Sequence, residues 1–325
     1  MTNDSCIIHA CSIDGKGSGK ELDEKQAIEM LKSDQLAWVH LDATHPHTKQ
    51  WLKENISYLD HIVIGALLAE ETRPRLMEVN DGTLMILRGV NLNENAKPED
   101  MVSIRIWVDA NRIITMRRRP LKAAVDIRER LLKGKGPKNA GDFITQMTGR
   151  LFERMEPMMS DLDDRIDDIE ERIIDKPDPT ERQEIVSLRK RAILFRRYIA
   201  PQKDVMMLLR SSEQKWLDTS HKRRLQESLD RVTRYVEDLD AIRERAQIVK
   251  DELANALSDR LNKNLYILSV ISAIFLPLGF FTGLMGINIG GMPGVENGHA
   301  FWIFSGVLVI IVALQMLIFK KLKWF

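Results

Sequence analysis

The sequence predicts an α/β domain, a long helical stalk and a two-helix membrane hairpin, in that order along 325 residues. Three observations carry the prediction. Charge is segregated: of 48 Lys+Arg and 47 Asp+Glu, only Glu296 lies between Lys263 and Lys320. Two uncharged runs of about twenty residues fill that interval, each long enough as a helix to cross a hydrocarbon core of roughly 30 Å. Ahead of them, apolar residues recur at three- and four-residue steps, with no Pro or Gly from Thr219 until Pro277.

Residues 1–120 alternate β-branched runs, such as Met101–Val108 and Arg112–Met116, with helical patterns such as Asp60–Leu68, which predicts a cytosolic α/β domain. Residues 121–218 are read as cytosolic antiparallel helices. Between Asp161 and Asp175 the acids are opposed only by Arg165 and Arg172, whereas Arg182–Lys203 is basic apart from Glu184. Opposite charge on successive helices around Pro177-Asp178-Pro179 predicts a pair. The ordinary reading of such runs is solvated or mutually paired faces. The other reading is that the acids concentrate cations near a cytosolic exit. Residues 219–264 form the stalk, on the spacing of Leu225, Leu229, Val232, Val236, Leu239, Ile242, Ala246, Val249, Leu253 and Leu257.

The first transmembrane helix is 265–285, the loop 286–299, the second transmembrane helix 300–319, and a basic tail 320–325 ends the chain. The loop GINIGGMPGVENGH is too rich in Gly to continue a helix. Arg260 and Lys263 precede the first span and Lys320, Lys321 and Lys323 follow the second, whereas the loop has no Lys or Arg. Both termini are therefore expected on the cytoplasmic side. Trp302 and Trp324 flank the second span, where amphipathic rings favour the headgroup level.

Several function classes are excluded or weakened. A net charge of +1 argues against nucleic acid as a partner. Two cysteines make no disulfide framework, and the N-terminus lacks a secretory signal pattern. Gly15-Lys16-Gly17-Ser18-Gly19-Lys20 has the wrong spacing for a phosphate loop and Glu21 where a hydroxyl is needed, so it reads as a hairpin turn. Cys6, His9 and Cys11 do not share one strand face, and His45 and His47 bracket Pro46 at a helix start, so neither group reads as a firm zinc site. No nucleophile and base pattern is apparent, and the chain is read as no enzyme and as needing no cofactor.

Two helices cannot enclose a water-filled path, so the hairpin is either an anchor or one part of an assembly around a pore. The first span is the candidate lining. A 3.6-residue period gathers Asp251, Asn255, Asn262, Ser269, Leu276 and Gly283 into a stripe, with Ser272 and Gly279 beside it. The bland account of these small and polar residues is helix packing. Pro277 removes the hydrogen bond to the Ala273 carbonyl and predicts a local bend with that carbonyl accessible. Gly286, Ile287 and Asn288 end the span at the outer mouth. Asn offers a neutral oxygen acceptor, and a ring of them can hold a hydrated divalent cation through its waters. Glu296 in the loop and Asp251 on the stalk are read as cation-attracting, with Asp251 a candidate metal ligand whose ordinary reading is a surface acid.

These residues resemble a family. A span ending in Gly-x-Asn, a short loop with Met292-Pro293, a second span and a basic tail are similar to the CorA superfamily of divalent-cation transporters. Gly286-Ile287-Asn288, in place of the Gly-Met-Asn of magnesium members, resembles the ZntB zinc-transporter branch, as do AEETRPRLMEVNDG (69–82), LRGVNLN (87–93) and PEDMVSIRIW (98–107). The resemblance implies a homopentameric funnel in a bacterial inner membrane, with lipid, divalent metal ions and copies of itself as partners. It implies zinc(2+) uptake, with proton coupling raised and left open. A magnesium/cobalt channel of the same fold and a membrane-anchored coiled-coil scaffold without transport are the alternatives.

Overall fold

The computed structural model describes residues 5–287, 294 and 296–321. The chain divides into two compact units, Met1–Asp251 and Glu252–Phe325. The division falls inside the predicted stalk because, among residues 252–264, only Leu253 is buried.

The first unit is built on a six-stranded sheet. Its elements in chain order are β1 (Ile7–Ser12), α1 (Glu24–Leu31), β2 (Ala37–Asp42), α2 (Thr48–Asn55), α3 (His61–Leu68), β3 (Arg75–Val79), β4 (Gly82–Gly89), β5 (Val102–Val108) and β6 (Arg112–Arg117). The spatial order is β1-β2-β6-β5-β4-β3. Every pairing is antiparallel except β2 with β6, which are joined by the long excursion through α2, α3 and the β3–β5 meander.

Local chemistry sets the element ends. Asp23 accepts from the Gln26 backbone N–H at 2.8 Å while the Gln26 side chain accepts from the Asp23 N–H at 3.1 Å, a reciprocal cap that starts α1. Asp60 Oδ1 accepts from the Ile62 N–H and starts α3. Gly15-to-Lys20 is a turn closed by Asp14 Oδ1, which accepts from the Lys16 and Ser18 N–H groups at 2.7 and 2.9 Å. Gly17 there has φ +103°, a left-handed conformation that L side chains avoid.

Alternation along the strands sends side chains to both faces of the sheet. Val39, Leu41, Leu84, Ile114 and Met116 form one core with Leu31, Leu52, Val63 and Leu67 from α1–α3. On the other face Trp38 meets Phe143 with ring centroids 4.9 Å apart. Phe143 belongs to α5 (Ala140–Glu153), which follows α4 (Lys122–Leu132). Both faces are thus covered, and β2 is buried along Ala37–Leu41.

The remaining helices of this unit are α6 (Glu156–Asp175), α7 (Glu181–Ser211) and the first part of α8 (Thr219–Gly286). Met159, Leu162, Ile166, Ile169 and Ile173 form the buried stripe of α6, and α7 buries Ile185, Leu188, Ala192, Phe195 and Ile199. The acidic run on α6 is held differently from a simple acid-to-base pair with α7. Arg245 of α8 bonds Asp167 and reaches Asp163 and Glu170 at 3.4 and 2.6 Å. Across to α7 one bond has the expected sense, Arg191 to Asp161 at 3.1 Å, and another is reversed, Arg172 of α6 to Glu181 and Glu184.

The seam of α8 departs from the predicted spacing at Val236, and Leu257 at its far end is only half-buried. Leu225, Val232, Leu239, Ile242, Ala246 and Val249 are buried, but Tyr235 takes the inward seat expected of Val236. The Tyr235 hydroxyl donates to the Phe152 carbonyl at 3.2 Å, a partner that lets a phenol be buried where periodicity favours the aliphatic neighbour.

The second unit contains α8 from Glu252 to Gly286 and α9 (Ala300–Lys321). Each contains a stretch long and apolar enough to cross a membrane, and those stretches are almost wholly exposed. A soluble chain would bury them. Gly294 and Asn297 make a turn into α9, with the Asn297 side-chain oxygen accepting from the His299 N–H at 3.0 Å.

Candidate ion pathway

Within the second unit, the neighbouring faces of α8 and α9 are apolar. Val270 is buried, and Ala273, Ile274, Pro277 and Leu278 are half-buried. A cleft of about 660 Å³ opens beside this contact, lined by Phe275, Leu278, Gly279, Thr282 and the α9 side chains Leu308 and Val312 among others. Its walls are almost entirely hydrocarbon, which offers an ion nothing in exchange for its water. The cleft inside one chain is therefore no ion path.

Pro277 cannot donate to the Ala273 carbonyl, and the structure supplies the missing donor from the other helix. The Gln315 side-chain amide donates to the Ala273 carbonyl at 3.2 Å. In a membrane-spanning pair an unpaired carbonyl costs more than in water, so this bond pins α9 to α8 at the depth of the proline. The sequence predicts the freed carbonyl at Ala273 but not its partner, which lies 42 residues further along the chain. The usable signal is that Gln315 is the one side-chain amide in an otherwise aliphatic run.

The predicted stripe lies elsewhere on α8. Asn255, Asn262, Ser269, Ser272, Leu276, Gly279 and Gly283 are all exposed. At 100° per residue, Ser269, Leu276 and Gly283 sit about 100° or more around the helix from the Val270, Ile274 and Pro277 face. Gly279 differs from the others in lining the apolar cleft. The Ser269 hydroxyl donates to the Leu265 carbonyl at 2.8 Å, and that of Thr282 to Leu278 at 2.9 Å. Their protons are spent on the helix, but their lone pairs remain acceptors, the sense needed to receive hydrogen bonds from an ion's hydration water.

At its C-terminal end Gly286 closes α8 and Ile287 is exposed beyond it, whereas Asn288 lies outside the described residues, as do Met292, Pro293, Lys323 and Trp324. Glu296 is exposed in the turn before α9. In the first unit Asp251 is exposed and already engaged: both its oxygens accept from the Gln247 amide, at 2.9 and 2.8 Å, and Lys250 lies at 4.0 Å. No group of three or more His, Cys, Asp or Glu is placed to hold a metal among the described residues.

The buried histidines and cysteines of the first unit belong to its core. His9 lies tilted against His40 and edge-on to Trp38, at 4.8 and 4.6 Å between centroids. Burial pushes His9 down to about 3 and the Cys11 thiol up to about 11, so both stay neutral near pH 7. His45 and His47 stack at 5.5 Å at the start of α2.

Comparison with known proteins decides the family. The profile of the CorA-like Mg2+ transporter protein family matches residues 33–321. The chain belongs to this family. It is 35% identical to the divalent cation transporter CmaX of Pseudomonas aeruginosa, covering 98% of this chain and 96% of that protein. It is equally 35% identical to the zinc transport protein ZntB of Pectobacterium carotovorum, with the same coverage. The solved structure of full-length CmaX matches with a TM-score of 0.85 over 98% of both chains. The CorA-like architecture of an N-terminal α/β domain, a long helix and two C-terminal apolar helices is therefore that of this chain.

Proposed function

We propose that the chain carries divalent cations across a membrane, with zinc(2+) as principal cargo, as a homopentamer in which α8 of each copy lines the path. One observation carries this reading. The small and polar stripe of α8 is exposed on a face turned away from the α9 contact, while the cleft inside the hairpin is apolar. A cation needs acceptor oxygens or its own water, and only the stripe, repeated around an axis, offers the first while leaving room for the second.

The supporting chemistry favours passage with water retained. Neither predicted span contains Cys, His, Asp or Glu, so no zinc cage of thiolate, imidazole or carboxylate can form within them. Asn288 at the outer mouth is proposed to greet hydrated ions, with Gly286 letting backbones converge and Glu296 raising the local cation concentration. Asp251 would act at the inner end only after exchanging its bond from Gln247. With both termini in the cytoplasm of a bacterial inner membrane, an inside-negative potential favours entry of a doubly charged ion by about 4.6 kcal/mol per 100 mV.

The relatives favour two cargoes: ZntB is named for zinc and the matching family for Mg2+. Flux into proteoliposomes separates them. Zinc uptake that persists in equimolar magnesium and falls at least about tenfold in Asn288→Ala, through loss of one acceptor per copy, is the expected result. Abolition by magnesium transfers the assignment to a magnesium/cobalt channel. Absence of protein-dependent uptake by an intact assembly returns the hairpin to an anchor, and uptake indifferent to Asn288→Ala removes that residue from the path. The same vesicles with an imposed proton gradient test coupling.

A further inference from the structure

A second site lies in the first unit, far along the sequence from the membrane helices, and independent of the transport reading. A pocket of about 510 Å³ is lined by four arginines, Arg73, Arg88, Arg119 and Arg197, against two acids, Glu70 and Glu71. Glu70 is already engaged by Arg118 at 3.2 Å. Arg73 and Arg197 have no carboxylate within ion-pair range among the described residues, and both are exposed. Among the described residues Arg119 donates only to the Asp100 carbonyl, at 3.3 Å. The lining thus carries more positive charge than it neutralises.

The deeper groups show the same imbalance. Arg88 spends its terminal nitrogens on the Met101 and Thr72 carbonyls, at 2.8 and 2.6 Å, and rests on the Tyr198 ring at 4.3 Å. Its Nε is buried with no partner, as is the hydroxyl of Thr72, a residue only 9% exposed that also lines the pocket. Gln202, fully buried, accepts from the Arg88 backbone N–H, while its own amide nitrogen goes unmet. On the adjacent strand Arg105 is fully buried, gives one nitrogen to the Ala69 and Glu70 carbonyls, and leaves Nε and Nη1 without acceptors. Each of these unmet groups can donate. Buried cations normally hold an acid or another anion, because burial without one is costly.

We propose that this pocket binds a phosphate-bearing anion, either a free inorganic phosphate or oligophosphate or the phosphate chain of a nucleotide. Guanidinium forks match phosphate oxygens in pairs, and the volume falls within the range of small-molecule sites. Two segments singled out by sequence for other reasons, AEETRPR (69–75) and LRG (87–89), meet here, since β3 pairs with β4 and α7 supplies Arg197 and Tyr198.

The test uses the full chain in lipid nanodiscs, in chelator to exclude metal bridging, titrated calorimetrically with phosphate, pyrophosphate, AMP and ATP. Saturable binding of at least one, weakened about tenfold in Arg73→Gln and again in Arg197→Gln, is expected for the loss of a charge-assisted contact each time. Both arginines are exposed, so the variants should melt as the native chain does without ligand. Arg182→Gln, in the separate basic groove of α7, should bind as the native chain does. ATP binding tighter than pyrophosphate assigns a nucleotide, and equal binding assigns the oligophosphate. Absence of saturation for all four probes, or saturation that survives both substitutions together, overturns the proposal.

Discussion

The two units of the chain satisfy their polar groups in opposite ways. In Met1–Asp251, outside the arginine pocket, many charges are answered by other side chains across the fold, as when Arg245 gathers Asp163, Asp167 and Glu170 or Arg154 holds Asp126 at 2.6 Å. In Glu252–Phe325 the apolar helices carry few polar side chains, and Ser269 and Thr282 turn back to their own helix. The difference follows from the surroundings. Water can share a salt bridge or replace it, whereas hydrocarbon can do neither, so a spanning segment keeps its polar bonds few and mostly local, with the Gln315 bond to the Ala273 carbonyl crossing between helices.

Substitutions that remove one kind of bond sharpen this comparison. The largest effect is expected from Trp38→Ala, which empties a fully buried site packed on Phe143 and removes the Nε1–H donation to Thr115 Oγ1 at 2.7 Å. A loss of ~3–5 kcal/mol is expected from chemical denaturation of the first unit, with the helicity of the apolar hairpin unchanged. Loss of hairpin signal at the same denaturant concentration would break the separation of the two units.

In the second unit Gln315→Leu leaves the Ala273 carbonyl without its donor and should cost ~1 kcal/mol in a lipid or detergent unfolding assay. Pro277→Ala restores an intrahelical donor, so Gln315→Leu should cost less in that background. Additive costs in the four-member cycle would show that the Gln315 bond does not answer the proline.

Arg245→Met is expected to cost ~0.5–1 kcal/mol at low salt, since the residue is about one-third exposed, and less at 1 M salt, where screening is strong. A cost that does not change with salt would mean that the arginine stem, not its charge, holds α6.

The smallest effect at neutral pH concerns His9. Its folded value lies near 3 and the ordinary value is 6.5, so the unfolded chain takes up more protons between those limits. The stabilising difference is complete above about 6.5 and is lost as pH falls toward 3. His9→Gln should make the stability of the first unit less steep across that window, with no change above pH 7. An unchanged slope would assign the acid sensitivity to other groups, His40 among them, whose proton affinity burial also lowers strongly.

Much of this architecture is legible in the chain. The strand at Arg112–Arg117 and the helix at His61–Leu68 stand where alternation and a capping Asp60 place them, and the apolar helices end at Gly286 and begin at Ala300, beside the glycine-rich loop. The arginine pocket is not legible, because its members come from the α3–β3 connection, β4, the β6–α4 connection and α7, and no local spacing relates them. Tyr235 displaced Val236 for a related reason: the acceptor for its hydroxyl is the carbonyl of Phe152, distant in sequence.

Sequence alone determined the segregation of charge, the two membrane-length helices and the spacing of the stripe residues on α8, because each is a periodicity or composition within one segment. Only the tertiary structure decided that Gln315 answers the proline, that Arg245 rather than the basic run of α7 gathers most of the acids, and that four arginines converge with too few acids. Those outcomes depend on which distant donors and acceptors the packing of the apolar faces brings within about 3 Å, a matter of three-dimensional register that no single segment encodes.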